Sequence, residues 1–245
     1  MTDLDTLSIL VHADSKVGKS TLGATCPTPS LIFDAEGSTK FLPIARTHWD
    51  PTREEPPVND GTWTHCIVTV RDLSSIHSAY AWLNSGRHPF RSVVMDSISE
   101  IQRKVKTSLV GTEQMKIQHW GELLTQMDSL VRGYRDLTLH PTNPVAVAMF
   151  ISESREKNGR WKPYMQGQIE IALPYWMDIV GHLRVEQIPT ADGGITSQRQ
   201  LLIGPHPQFE AGERVQGRLP HLIAEPNITA MYMAVYPHTQ GVPAS

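Results

Sequence analysis

A lysine and two hydroxyl residues after a glycine are the strongest chemical signal in the chain. The segment ADSKVGKST matches the phosphate-binding pattern G-x-x-x-x-G-K-[ST], except that alanine replaces the first glycine. In such a loop, backbone N–H groups surround a β-phosphate, the lysine bridges β- and γ-phosphates, and the first hydroxyl binds Mg²⁺. The segment therefore predicts an ATP and Mg²⁺ site formed by Ala13, Asp14, Ser15, Lys16, Val17, Gly18, Lys19, Ser20 and Thr21.

The context of this segment separates two interpretations of it. Gly18 would let the backbone approach the phosphates without a Cβ in the way, and Ala13 fits if its φ is negative. The alternative is a glycine-containing turn with a solvated lysine. The apolar run LSILVH before the loop and the helix-forming stretch after it favour phosphate binding.

Acids that follow two apolar runs could complete the site. Asp96 ends the run SVVMD and is predicted to support the metal with Ser20; its alternative role is to cap the next helix. In FDAEG, Glu36 is the stronger candidate to orient the attacking water and Asp34 the weaker. The alternative for both is a solvent-exposed turn. The predicted catalytic set is Lys19, Glu36 and Asp96.

These residues require a fold that brings several strand ends to one edge. Short apolar runs predict strands at 7–12, 31–34, 65–70, 92–96, 144–151, 179–187 and 197–203. Helical patterns lie between them at 18–25, 74–85 and 120–137. The alternation predicts an α/β fold with a mostly parallel central sheet flanked by helices and a C-terminal antiparallel strand pair. We expect one domain over 1–245, with a surface loop at 44–62, a polar loop at 152–168 and a frayed tail at 237–245.

Composition excludes several classes of protein. The 245 residues are 40% hydrophobic and 19% charged, which is too apolar for a disordered chain. No apolar run approaches the roughly 20 residues of a membrane span, and the acidic N-terminus is unlike a secretory signal. Two cysteines are too few for a disulfide framework, so a cytoplasmic protein is expected. A net charge of −3 means that any nucleic-acid partner must bind a local basic patch.

Together these motifs resemble those of RecA-like P-loop ATPases. The segment LIFDAE at 31–36 resembles the strand that carries the catalytic glutamate, VVMDS at 93–97 the Walker B strand, and AMFISE at 148–153 the sensor strand. The chain resembles most closely the compact bacteriophage members, identified as nucleotide-binding or single-strand annealing recombinases. The features in common with them are SKVGKST at 15–21, DAEG at 34–37, MDS at 95–97, HWG at 119–121 and AGER at 211–214.

The resemblance also implies roles for the end of the sensor strand, for the loop after it and for Arg214. The family's polar sensor is usually Gln or His, whereas Ser152 and Glu153 stand here, and a second acid near phosphates requires a metal or a basic neighbour. Arg214 resembles the arginine that reaches a neighbouring subunit's ATP; its alternative is a surface turn. The loop after the sensor strand is a candidate single-stranded DNA site, or else a solvated hairpin. Its candidate contacts are Arg155, Lys157, Arg160, Trp161, Lys162 and Tyr164.

The resemblance thus implies a Mg²⁺-dependent ATPase that acts on single-stranded DNA in phage recombination or annealing. It implies a homo-oligomer with ATP between subunits, located in the host cytoplasm, with phage or host recombination or replication proteins as further partners. One alternative is a helicase loader or helicase-like motor with the same core. Another is a nucleotide-gated binding protein that does not hydrolyse ATP, since Ala13 and Glu153 depart from the family pattern.

Overall fold

A computed structural model describes residues 5–190 and 192–239. The strands are β1 (Leu7–Ala13), β2 (Ser30–Asp34), β3 (Arg46–His48), β4 (His65–Thr69), β5 (Ser92–Asp96), β6 (Val147–Lys157), β7 (Arg160–Pro163), β8 (Ile179–Pro189), β9 (Ile195–Leu202), β10 (Gly212–Glu213) and β11 (Leu222–Ala224). The α-helices are α1 (Lys19–Gly23), α2 (Leu73–Asn84), α3 (Ile98–Val110), α4 (Ile117–Asp136), α5 (Ile169–Ala172) and α6 (Ile228–Val235). Within the described residues, no helix is long and apolar enough to cross a membrane.

The strands form one sheet in the order β11-β9-β8-β1-β6-β5-β2-β4-β3. The strands from β8 to β3 in this order run parallel, because each connection crosses back over a face of the sheet. Strand β9 is antiparallel to both β8 and β11. The predicted α/β fold, with its parallel sheet and C-terminal antiparallel pair, is confirmed.

Alternating side chains of the central strands pack into two apolar cores, one on each face of the sheet. Leu10 of β1 packs with residues of α2, α3 and α4, whereas Ile9 and Val11 pack with residues of α1 and α6. Burial on both faces explains why these strands read as continuous apolar runs. The short helix α1 gains its stability from this packing, because five residues form too short a helix to be stable alone.

Two segments predicted as loops are partly sheet. The segment 44–62 contains β3, which pairs with β4, and Trp49 directly after β3 is buried near Phe90. The segment 152–168 contains the end of β6 and all of β7, which form an antiparallel hairpin. Its polar composition concealed the strands. The Asn158-Gly159 pair at the turn, with φ values of 55° and 76°, is the sequence signal that could have found them.

The C-terminal part holds elements that no apolar pattern predicted. They are β10, β11, α6 and a short 3-10 turn at 237–239, which takes up the start of the expected tail. The rest of the expected tail, 240–245, lies outside the described residues. The single domain over 1–245 stays a prediction. Helix α6 is capped by Asn227, whose side chain accepts a hydrogen bond from the Ala230 N–H at 3.0 Å.

Candidate nucleotide site

Strand ends from distant parts of the chain meet at the carboxyl edge of the sheet. Ala13 is aligned with Glu153, and Asp34 with Asp96, in parallel register. Parallel strands end at a common edge, where ligands of open α/β sheets bind. The cleft there has a volume of about 690 Å³, which is in the range of small-ligand sites. Its lining residues are Ala13, Asp14, Ser15, Lys16, Gly18, Lys19, Ser20, Thr21, Glu36, Ser38, Phe41, Leu42, Asp96, Glu153 and Ser154.

The loop after β1 holds its lysine on backbone oxygens. Gly18 has φ 96°, a conformation that favours glycine, and α1 begins at the next residue. The Lys19 Nζ donates to the carbonyl oxygens of Asp14 at 2.6 Å and Ala13 at 3.3 Å. Burial lowers the pKa of Lys19, while the carboxylates of Glu36 and Asp96 act to raise it. The Lys19 ammonium is therefore partly buried and lies near several carboxylates.

Two hydroxyls and a carboxylate form a row beside this lysine. The Ser20 hydroxyl donates to the Ser38 Oγ at 3.0 Å, and the Ser38 hydroxyl donates to the Asp96 carboxylate at 2.9 Å. Burial raises the pKa of Asp96, and these hydroxyls oppose the shift. The helix-capping role considered for Asp96 belongs instead to Ser97, whose Oγ accepts from the Glu100 N–H. Asp96 is thereby free to face the cleft.

The two acids of FDAEG take different positions. Asp34 is buried and accepts hydrogen bonds from the backbone N–H groups of residues 36–39, at 2.7 to 3.3 Å, and from the Thr39 hydroxyl. Glu36 is exposed, lines the cleft and accepts from the Ser97 hydroxyl. Asp34 therefore shapes the loop that carries Glu36, and its oxygens are occupied. The solvent-exposed turn considered for both acids is wrong for Asp34.

The predicted sensor residues, Ser152 and Glu153, are neighbours on β6, so their side chains point to opposite faces of the sheet. The Ser152 side chain is buried and hydrogen-bonds inside the protein, whereas Glu153 lines the cleft. Arg103 of α3 donates to both carboxylate oxygens of Glu153 at 2.7 and 2.6 Å. This is the basic neighbour that a second acid near phosphates requires. The contact depends on the tertiary fold, which places Glu153 of β6 beside α3.

A family model described as an AAA domain matches residues 5–215 of the sequence. The chain belongs to the AAA domain family. Together with the fold, this membership makes the chain a P-loop ATPase.

Two known structures match this chain at low sequence identity and with TM-scores under 0.5. An ATPase from the type III secretion system of pathogenic bacteria has 14% sequence identity and a TM-score of 0.47, with 91% of this chain and 62% of that one covered. The RadB recombinase has 14% identity and a TM-score of 0.44, with 82% of this chain and 81% of that one covered. The ATPase thus spans about three fifths of the secretion protein's length. A search among curated proteins finds no match.

The basic hairpin β6–β7 of the ATPase carries its charges in pairs. Lys157 lies 3.2 Å from a carboxylate oxygen of Glu170, and Arg160 and Lys162 lie 3.4 and 3.9 Å from Glu210. Arg155 lies 5.3 Å from the centre of the Tyr164 ring. Trp161 is half-buried, and its backbone N–H donates to the Gln208 carbonyl at 2.7 Å. The four basic residues lie on the hairpin, but three of them already have acidic partners.

Arg214 lies at the opposite edge of the sheet. Its backbone N–H donates to the Asp178 carbonyl at 2.8 Å, and its guanidinium donates to the Tyr175 carbonyl. Asp178 in turn bonds Ser8 near the start of β1, about 17 Å of strand before Ala13. Arg214 therefore cannot serve its own chain's cleft, and a role at a neighbouring chain's nucleotide stays a prediction.

Sequence reasoning missed four residues of the cleft, namely Ser38, Phe41, Leu42 and Ser154. Ser38 connects Ser20 to Asp96, Ser154 lines the wall and lies 2.6 Å from the His12 Nδ1, and Phe41 presents a ring that is 81% exposed. A hydroxyl in a short loop carries no pattern of its own. Phe41 had a usable signal, because a large apolar side chain in an otherwise polar turn has no core position to fill.

Proposed function

We propose that this ATPase binds ATP with Mg²⁺ in the cleft and hydrolyses it. Lys19 binds the β- and γ-phosphates, and backbone N–H groups of 13–21 surround them. Ser20 and Asp96 hold the metal, and Glu36 orients the attacking water. The observation that carries the proposal is the row of oxygens from Ser20 through Ser38 to Asp96, which lies beside a lysine that makes hydrogen bonds to backbone carbonyls alone.

The oxygen row fits Mg²⁺ rather than a softer metal. Its members are two hydroxyls and one carboxylate, and Mg²⁺ prefers few protein oxygens because it keeps several waters and phosphate ligands. When bound, the ion would neutralise charge that develops on the phosphates. Ser38 joins the row from the loop that Asp34 shapes, which links the metal site to the Glu36 loop.

The two departures from the family pattern do not oppose hydrolysis. Ala13 belongs to β1 and has no positive φ, so the missing glycine causes no backbone strain at that position. Glu153 is neutralised by Arg103, so its charge does not have to repel a phosphate. These contacts favour the hydrolysing protein over the non-hydrolysing alternative.

Replacing Phe41 with alanine is expected to raise the KM for ATP with little change in kcat. The exposed ring at the mouth of the cleft offers a stacking surface for the purine, and base–aromatic stacking is worth about 1–3 kcal/mol. Steady-state ATPase kinetics should show a KM raised about fivefold or more. Leu139→Ala, which removes another exposed apolar side chain outside the cleft, is the control. An unchanged KM in Phe41→Ala would remove Phe41 from the site.

The ATPase is further proposed to act on single-stranded DNA through the β6–β7 hairpin, in phage recombination or annealing. Ser154 lines the cleft and Arg155 follows it on the same strand, so nucleotide and hairpin share one rigid element. The hairpin combines four cations with the rings of Trp161 and Tyr164, which suits phosphates and bases. Its acidic pairs imply that DNA phosphates must displace the carboxylates, which makes the contact weak in each chain. An oligomer, with Arg214 at a neighbouring chain's nucleotide, would strengthen the DNA contact. The cytoplasmic location and the protein partners stay predictions.

ATPase activity and fluorescence anisotropy of a labelled oligothymidylate, measured across a salt series, test the DNA proposal. Binding should weaken with salt, with a slope of about 0.7 per phosphate contacted. Glu210→Gln should tighten binding several-fold, because it releases Arg160 and Lys162. Glu156→Gln is the matched control, because it also removes one carboxylate charge, but the Glu156 Oε1 accepts a backbone N–H in the turn. Absence of binding at low salt in both variants would refute the DNA role and leave the ATPase proposal intact.

A further inference from the structure

The first turn of α1 is contacted by a residue far along the chain. A Cβ at Gly18 would lie 3.3 Å from the Cδ of Arg199 and 3.4 Å from its Nη1. Arg199 therefore packs directly on the last glycine of the phosphate loop, from strand β9. The space that glycine leaves at this position is filled by the arginine side chain.

Arg199 is fixed in place by Glu225, which follows β11. The Arg199 Nε and Nη2 donate to one carboxylate oxygen at 3.3 and 3.2 Å, and the Arg199 backbone N–H donates to the other at 2.9 Å. The Glu225 N–H donates back to the Arg199 carbonyl at 2.8 Å. Four hydrogen bonds thus lock the two residues together, and the carboxylate neutralises a cation beside the start of a helix.

Glu225 adopts a backbone conformation that is unusual for its type. Its φ is 43°, in the left-handed region, which is unfavourable for a residue with a side chain. Residues in such conformations persist where surrounding contacts fix them. Here the bonds to Arg199 provide those contacts.

The same C-terminal segment also holds the other end of α1. The Ile228 N–H donates to the Thr25 Oγ1 at 2.8 Å, and the Thr229 N–H donates to the Thr25 carbonyl at 3.0 Å. Thr25 lies two residues after α1, and the Gly18 N-cap has no side chain to supply a capping bond. A helix of five residues is therefore held at both ends by residues 199–229.

We propose that Arg199 and Glu225 are a positioning pair that fixes the phosphate loop through Gly18. The inference rests on the proposed nucleotide site and adds to it a part of the chain beyond residue 215, where the family match ends. The pair acts through the loop backbone and does not bind phosphate itself. Its removal therefore weakens nucleotide binding without changing the chemistry that follows.

The test is equilibrium binding of fluorescent ADP and ATP analogues together with steady-state kinetics. Arg199→Ala is expected to raise both dissociation constants and the KM about fivefold, with kcat within about twofold, in line with the worth of a half-exposed ion pair. Glu225→Gln should shift binding in the same direction, and Arg199→Lys should not restore it because a lysine lacks the planar fork. Hydrogen exchange of amides 14–20 in the nucleotide-free protein should become faster in each variant.

Controls separate this inference from its rivals. Arg184→Ala removes a similar pair with Glu186 on the neighbouring strand, and it should leave nucleotide binding unchanged. Direct phosphate binding by Arg199 would instead make Glu225→Gln bind more tightly and Arg199→Lys recover, and either result overturns the proposal. Binding within twofold of the wild type in Arg199→Ala also overturns it. Normal nucleotide binding by Lys19→Ala would refute the proposed site itself. Normal binding by the Arg199 variants, with binding lost in Lys19→Ala, would refute only the positioning pair. Should Arg199→Ala not fold, Glu225→Gln and Arg199→Lys decide.

Discussion

Lys19→Ala is expected to abolish nucleotide binding, with a dissociation constant for ATP raised about 100-fold or more. The Lys19 side chain lines the cleft, and its ammonium donates hydrogen bonds to two backbone carbonyls. A bound phosphate would replace these neutral acceptors with anionic oxygens, which also attract the ammonium through their charge. Losing a partly buried contact to a charged ligand costs about 2–5 kcal/mol.

Isothermal titration with ATP and Mg²⁺ is the measurement for Lys19→Ala. Lys104→Ala, which removes a lysine of α3 that does not line the cleft, should bind as the wild type does. Thermal unfolding of both variants shows whether they are folded. Affinity at the wild-type level in a folded Lys19→Ala protein would contradict the assignment of the cleft as a nucleotide site.

Glu36→Gln is expected to bind ATP with near-normal affinity and to lose turnover by a factor of about 10²–10⁴. Glu36 is exposed at the cleft, and its partner Ser97 directly follows Asp96, so this carboxylate lies near the proposed metal site and is not enclosed by hydrogen-bond donors. Glutamine keeps the size of the side chain and can still accept from Ser97, but it cannot take a proton from water. The loss should therefore fall on kcat rather than on binding.

Single-turnover hydrolysis and ATP titration together measure the effect of Glu36→Gln. Glu153→Gln is the comparison, because Glu153 lines the same cleft but both its oxygens are occupied by Arg103. It should retain most of the turnover. Unchanged hydrolysis in Glu36→Gln would move the base elsewhere, and a large loss in Glu153→Gln would then identify Glu153 as that base.

Local patterns predicted the parallel core well and the periphery poorly. Strands β1, β2, β5 and β6 are buried on both faces, so their apolar runs stand out from the sequence without any partner. Strand β7 has only four residues, RWKP, which form neither an apolar run nor a clear alternation, so apolar patterning did not predict its pairing with β6. The short strands β3, β10 and β11 have two or three residues each, too few for a periodicity.

The sequence by itself determined the phosphate loop and the acids that follow β2 and β5. These features depend on consecutive residues, because a glycine turn, a lysine and a strand-terminal carboxylate need only their own chain neighbours to be recognised. Only the tertiary structure decided which acid faces the cleft, which cation neutralises Glu153 and which side chain packs on Gly18. Each of these answers depends on a contact between residues about 50 to 180 positions apart. Strand order and register determine such contacts, and a pattern of residues that are neighbours in the sequence does not reveal them.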